Sequence, residues 1–216
     1  FVPRSKRNIP PEMSETDRMI LEDKSLDYKV LNFSTNTFNE NETSYFHKSV
    51  GGYHPAKLRR YQELIEAYIS PEMRKAMEAI AKNGGDMAAV DGNAVYPVLN
   101  MLNTKYFIMP LQGGDTAPIE NPYACGNAWF VNKVSFVDNA NEELATVGKI
   151  DVRHEAVADK KFQQTLGAST TNDSTATVTL KSYEPDRLVY DVKSTNGGVL
   201  VFSEIYYPGW TATIDG

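Results

Sequence analysis

Six side chains between Tyr45 and Lys57 are of types that bind ligands. Tyr45, His47, Lys48, Tyr53, His54 and Lys57 gather ring nitrogens, ammonium groups, hydroxyls and aromatic faces around Gly51-Gly52. Such a mixture suits an anionic or hydroxyl-rich ligand, and glycines beside it suit a ligand loop. The same glycines suit a tight connection into a helix that starts at Pro55. His47 and His54 are near enough in sequence to share a zinc ion. The glycines and Pro55 keep them off one helix, however, and no His-Glu-x-x-His spacing accompanies them, so no metal site is expected. A second group is Tyr206-Tyr207-Pro208-Gly209-Trp210. Aromatic rings on an exposed loop stack on sugar faces or settle at a membrane–water interface. Tyr207 is the ring expected to be exposed. Trp210 keeps register with Ala212 and Ile214, which favours the core of a strand. Tyr207 and Trp210 complete the candidate binding residues.

No constellation for catalysis accompanies them. The chain carries no Gly-x-Ser-x-Gly elbow, no Gly-x-x-x-x-Gly-Lys phosphate loop and no Gly-x-Gly-x-x-Gly fingerprint, so no catalytic residue and no cofactor are assigned. Glu142-Glu143 open a short helix, where the helix dipole accounts for them. Asp151 and Glu155 would share a helical face, but nothing marks them as an acid/base pair. Over residues 44–82, seven basic residues stand against four glutamates. That patch could meet phosphate or lipid headgroups, but pairing of Arg59 and Arg60 with Glu63 explains it as a solvated helix face.

The elements that must position these residues follow from periodicity and turn residues. Glu15–Leu21 reads as a short helix and Tyr28–Phe33 as a strand. The clearest helix runs over 55–69, with Leu58, Tyr61, Leu64, Ile65, Tyr68 and Ile69 on one face. Ser70 would cap a second helix that stops at Asn83-Gly84. Tyr96–Asn103 reads as a short helix, Lys105–Met109 as a strand, Leu111–Asn127 as a long loop, Trp129–Val137 as one strand and Asn141–Val147 as a helix. From Thr175 the alternation is purely β: Ala176, Val178 and Leu180, then Leu188, Tyr190 and Val192, then Val199 to Tyr206, then Trp210, Ala212 and Ile214.

These elements predict an α+β protein. A mixed α+β domain over 1–168 precedes an antiparallel β-sandwich-like module over 169–216, the boundary falling at the Ser/Thr/Asn/Asp-rich break 169–174. Asp215-Gly216 after an alternating strand signals a hairpin turn, so the module is expected to continue and the chain to be a piece of a longer protein.

Composition narrows the function classes. Of 216 residues, 41% are hydrophobic and 23% charged, which suits a folded domain with a core. A net charge of −6 argues against nucleic acid as a partner. The apolar runs, such as Val199-Leu200-Val201-Phe202, fall far short of the roughly 20 residues that span a bilayer, so this piece is expected to be soluble. A single cysteine, Cys125, excludes an internal disulfide framework.

Several segments together resemble one family. Ser44–Gln62 (SYFHKSVGGYHPAKLRRYQ), Asn100–Ile108 (NMLNTKYFI), Gly126–Val131 (GNAWFV) and Ser203–Gly216 (SEIYYPGWTATIDG) are similar to the YfhO family of bacterial polytopic membrane proteins. The likeness runs from about Asp17 to the end of the chain, and the YYPGW…DG ending is its most specific part. The resemblance implies a multi-helix membrane region in the parent protein and places this chain on the extracytoplasmic face of the cytoplasmic membrane. Members resemble GT-C-type glycosyltransferases that use polyprenyl-phosphate sugars. Their catalytic carboxylate lies in a loop between membrane helices, so none is carried over here. The implied role is accessory to glycosyl transfer onto a cell-envelope acceptor, with the membrane part of the same parent chain and a glycan or lipid-linked sugar as partners. The alternatives are a carbohydrate-binding or adhesion module and a purely structural or dimerisation domain. A stand-alone hydrolase ranks last, because no nucleophile or metal set is present.

Overall fold

The computed structural model describes residues 10–53, 57–167 and 173–215. Helix α1 (Glu15–Leu21) starts at a capping box: the Ser14 hydroxyl accepts the Asp17 N–H while the Asp17 carboxylate accepts the Ser14 N–H. Strand β1 (Lys29–Asn32) follows, then the one-turn helix α2 (Thr43–Phe46) and the two-residue strand β2 (Lys48–Ser49). Helix α3 (Arg59–Leu64) passes through one π turn (Ile65–Ile69) into α4 (Ser70–Lys82) without a break. The cap expected at Ser70 is therefore not formed: Ser70 has φ −64° and ψ −42° and lies inside the helix. Pro71 supplies the reason. It has no N–H to donate and its ring crowds the carbonyl four residues back, and a wider turn just before it relieves both problems.

Helices α5 (Gly92–Val95) and α6 (Pro97–Met101) lead into β3 (Thr104–Pro110). The stretch expected as loop contains β4 (Thr116–Glu120), which pairs antiparallel with β3 and sets Pro118 opposite Ile108. As the outer strand of its sheet, β4 tolerates a proline that a central strand would reject. The sheet order is β2-β1-β3-β4, with β1 parallel to both β2 and β3. The helices bury a large apolar core against it, and Ile20 of α1 forms a smaller one with Val30 and Ile108. Leu31 and Phe107 from the sheet meet Ile65, Ile69, Ala76 and Ile80 from the long helix and Tyr96, Val98 and Leu99 from the α5–α6 corner. Each of the Val, Leu, Ile and Phe side chains contributes about 1.5–3 kcal/mol by leaving water. The periodic face read from the sequence supplies Ile65 and Ile69 to this core, whereas Leu58 remains exposed.

The single strand expected over 129–137 divides at Asn132, whose N–H donates to the His154 carbonyl at 2.7 Å. Its halves, β5 (Ala128–Val131) and β6 (Lys133–Val137), enter different sheets. β6 runs through α7 (Ala140–Val147) to its parallel partner β7 (Glu155–Asp159), a crossover of the usual βαβ kind. Glu155 thus lies on a strand and pairs with Lys133, while Asp151 pairs with His154, so no helical face joins them. A short helix α8 (Gln163–Leu166) closes this part.

The chain adopts the α+β class. Its β-rich end holds a hairpin, β8 (Thr177–Glu184) and β9 (Arg187–Lys193), turned at Pro185-Asp186. The next strand, β10 (Val199–Phe202), does not extend the hairpin. It returns to β5 and pairs antiparallel with it, Val199 opposite Val131 and Phe202 opposite Ala128. Residues 203–215 carry no strand. Among the described residues, no helix is long and apolar enough to cross a membrane.

Candidate functional site

The six loop residues acquire separate partners. His47 is buried, its Nε2 2.9 Å from Asp17 Oδ1, so it ties the β2 edge to α1. Tyr45 and Tyr53 are exposed, and the Lys57 ammonium sits 5.1 Å from the Phe38 ring centroid. His54 lies outside the described residues. The glycines are fixed by contact rather than by freedom. A Cβ on Gly51 would run into the Thr37 carbonyl, and Gly52 has φ +101° with its N–H donated to that same carbonyl. Of the expected basic pairs, Arg59 meets Glu63 at 2.8 Å, but Arg60 reaches across to Glu143 at 3.4 Å.

Lys48 is the loop residue that joins a larger constellation. Its register partner on the neighbouring parallel strand is Lys29, and two adjacent ammoniums would repel without carboxylates between them. Asp27 and Glu204 supply these. Asp27 pairs with Lys48 through Oδ1, and its side chain is 0% exposed. The Lys48 ammonium also lies over the face of Tyr183 in β8. Lys29 donates to the Ser203 carbonyl at 3.1 Å. The carboxyl groups of Asp27 and Glu204 lie within hydrogen-bonding reach of each other. Beside them stands the hydroxyl of Tyr190 in β9, buried and without a hydrogen-bond partner.

Two asparagines hold this arrangement. Asp27 has φ +53°, a left-handed conformation that aspartate and asparagine enter more readily than other non-glycine residues, and its carbonyl accepts the amide groups of Asn103 (2.8 Å) and Asn127. The Asn127 carbonyl in turn accepts the Ser203 N–H at 2.9 Å. The turn before β1 and the residue after β10 are therefore fixed through one side chain and its own backbone.

Electrostatics follow from this crowding. Burial, and then the hydrogen bond and charge of Asp27, push Glu204 up to about 7. Burial opposes ionisation of Asp27 as well, yet hydrogen bonds from Glu204 and Lys48 and the charge of Lys29 carry it below the usual carboxylate range. Burial pulls Lys29 down, against the attraction of Glu204 and Asp27.

Directly after Glu204 the chain becomes an exposed aromatic segment. Tyr206 is 71% exposed, Tyr207 59% and Trp210 42%. Pro208 and Gly209 bend it with φ +113° at Gly209 and the Trp210 N–H donated to the Tyr207 carbonyl at 3.2 Å, the pattern of a type II turn. The core position expected for Trp210 is not realised. Its alternation with Ala212 and Ile214 finds no partner strand, and Ile214 is 91% exposed.

A shallow cavity of about 280 Å³ opens beside Asn127, lined by Leu26, Tyr28, Lys105 and Glu120 among others. Polar groups of its lining already bond to the protein: Lys105 pairs with Asp23, and the Tyr28 hydroxyl donates to the Ile20 carbonyl. Among the described residues, no three His, Cys, Asp or Glu side chains gather where a metal could bind.

Asp27 and Lys29 belong to no motif, Tyr190 stands out only by strand alternation, and Glu204 lies inside the SEIYYPGW segment without marking itself as a site residue. The readable signals were a lysine inside the apolar run YKVLNF and Ser-Glu interrupting alternation after VLVF. No family model, curated protein or solved structure matches the chain.

Proposed function

We propose that this chain is the extracytoplasmic accessory domain of a YfhO-like membrane protein, and that it positions a glycan or lipid-linked sugar for transfer onto a cell-envelope acceptor. The observation that carries the reading is the segment 205–214. Its motif is the most specific part of the family resemblance, and its three aromatic side chains Tyr206, Tyr207 and Trp210 stand in solvent instead of filling a core. Flat apolar faces of pyranose rings stack on such side chains, and buried Ser203, whose carbonyl accepts the Lys29 ammonium, ties the start of the segment to β1. Chemistry belongs to the membrane part of the parent, so the isolated chain is expected to turn nothing over.

The test is titration of the chain with free cell-envelope oligosaccharides and with polyprenyl-phosphate sugars in detergent, read by isothermal titration calorimetry. Saturable binding lost in Tyr207→Ala and Trp210→Ala supports the reading. Robust sugar transfer by the chain alone sinks the accessory assignment. Equal affinity for free glycan and lipid-linked sugar would instead favour a carbohydrate-binding module.

A further inference from the structure

We propose that Asp27 and Glu204 share a single proton, and that this proton latches the aromatic segment 205–214 to β1 and β2. Two buried carboxyl oxygens without a donor point to the proton. Ionised carboxylates only accept hydrogen bonds. Asp27 Oδ2 and Glu204 Oε1 are both buried and meet no donor, while the two carboxyl groups lie within hydrogen-bonding reach. Two acceptor-only groups so placed are satisfied by one proton between them.

The charged and titratable groups facing the pair come from four elements. Lys29 stands on β1, Lys48 on β2, Tyr183 on β8 and Tyr190 on β9. Neither lysine replaces the shared proton, because the Lys48 ammonium is engaged by Asp27 Oδ1 and the Tyr183 ring, and that of Lys29 by the Ser203 carbonyl. The lysines do temper the cost of ionisation. With the proton the four charged groups carry a net positive charge, and without it they balance.

The two carboxyls are unequally held. Asp27 is pinned through its backbone by Asn103 and Asn127, whereas Glu204 begins a stretch with no regular secondary structure. When the proton leaves, Glu204 is the side that yields, and it carries the aromatic segment with it. A free glutamate ionises near its ordinary value, while the latched one is held up to about 7. The latch is therefore complete in mild acid and weakens as pH rises through about 7. The idea rests on the proposed function only for its purpose, which is to gate the sugar-stacking surface.

The test uses the whole chain without any glycan. Carboxyl-carbon NMR follows Glu204, and fluorotryptophan NMR follows Trp210, from about pH 5 to about pH 9. Trp129, buried with its indole N–H on the Val152 carbonyl at 3.0 Å, is the internal control. The expected result is a common midpoint near 7 for Glu204 and Trp210, with Trp129 still. In Glu204→Gln, whose amide donates to Asp27 at every pH, the Trp210 signal becomes flat. Asp27→Asn gives the same flatness by donating from the other side, which guards against a folding defect in either variant. A Glu204 midpoint in the ordinary carboxylate range overturns the shared proton. A Trp210 signal that stays still while Glu204 titrates overturns the latch. Failure of sugar binding alters neither readout, so the two ideas fall separately.

Discussion

Two glutamates in different parts of the molecule are both pushed up to about 7, in each case by burial first. Glu72, near the start of α4, is 5% exposed and points its two oxygens at the first turn of α6. There it accepts the N–H groups of Val98 at 3.1 Å and Leu99 at 3.0 Å. It is a cap supplied from another helix, serving donors that helix geometry leaves unpaired. Glu204 faces another carboxyl instead. The same displacement thus has opposite meanings. At Glu72, hydrogen bonds favour the ionised form and only burial resists it. At Glu204, hydrogen bonding itself demands the protonated form. The helical side of the molecule completes its polar contacts with backbone donors, while the junction under the aromatic segment completes them with a proton.

The comparison breaks most visibly at Glu72. Glu72→Ala leaves two buried N–H groups unpaired and is expected to cost about 3 kcal/mol, measured as a lower urea midpoint at unchanged slope. Asp27→Ala removes the carboxylate between Lys29 and Lys48. Because the Lys48 side chain is 40% exposed and can turn to water, the expected loss is smaller, about 2 kcal/mol. A result as large as that for Glu72 would mean that the junction is as rigid as the core.

Stability should also fall as pH rises from about 5 to about 8. Both glutamates have folded-state values above their unfolded ones, so their contribution is present in acid and lost as pH passes about 7. Asp27 and Asp17 have depressed values and act the other way, losing theirs only as pH drops below the ordinary carboxylate range. Glu72→Gln should therefore flatten the decline by about half, and Glu204→Gln should remove the remainder, in denaturation curves taken across that range. The smallest effect is expected at Trp210. Exposed as it is, Trp210→Ala should shift stability by less than about 0.5 kcal/mol while abolishing sugar binding.

The helical side was the more legible half. Ile65 and Ile69 could be read from spacing alone, because a 3.6-residue period leaves few alternatives for a buried stripe. The uninterrupted helix was not legible, since Ser-Pro is a good start signal and nothing local announces a π turn. Pro118 hid β4 for a similar reason: a proline marks loop unless the strand is known to be at an edge. The aromatic segment was found by type but placed wrongly in part. Alternation assigned Trp210 to a core, yet alternation becomes burial only where a partner strand exists, and β10 had paired elsewhere. At the junction, Lys48 was chosen for its place beside the glycines. Of the three other charged members, Asp27 and Lys29 sit two residues apart while Glu204 lies 175 residues beyond Lys29, a separation that no local pattern bridges.

Asn127 ties the turn before β1 to the residue after β10, and the Lys29 to Ser203 bond spans 174 residues. Contacts that close so long a loop carry a large entropic cost and form late, whereas α3, α4 and the β8–β9 hairpin can assemble from near neighbours. The junction should therefore be absent from the folding transition state and present only in the finished protein. Weakening it, for instance by Asn127→Ala, would leave the folding rate nearly untouched and speed unfolding. The lifetime of the folded chain, more than the ease of making it, is then set at the junction of Asp27, Asn127 and Ser203.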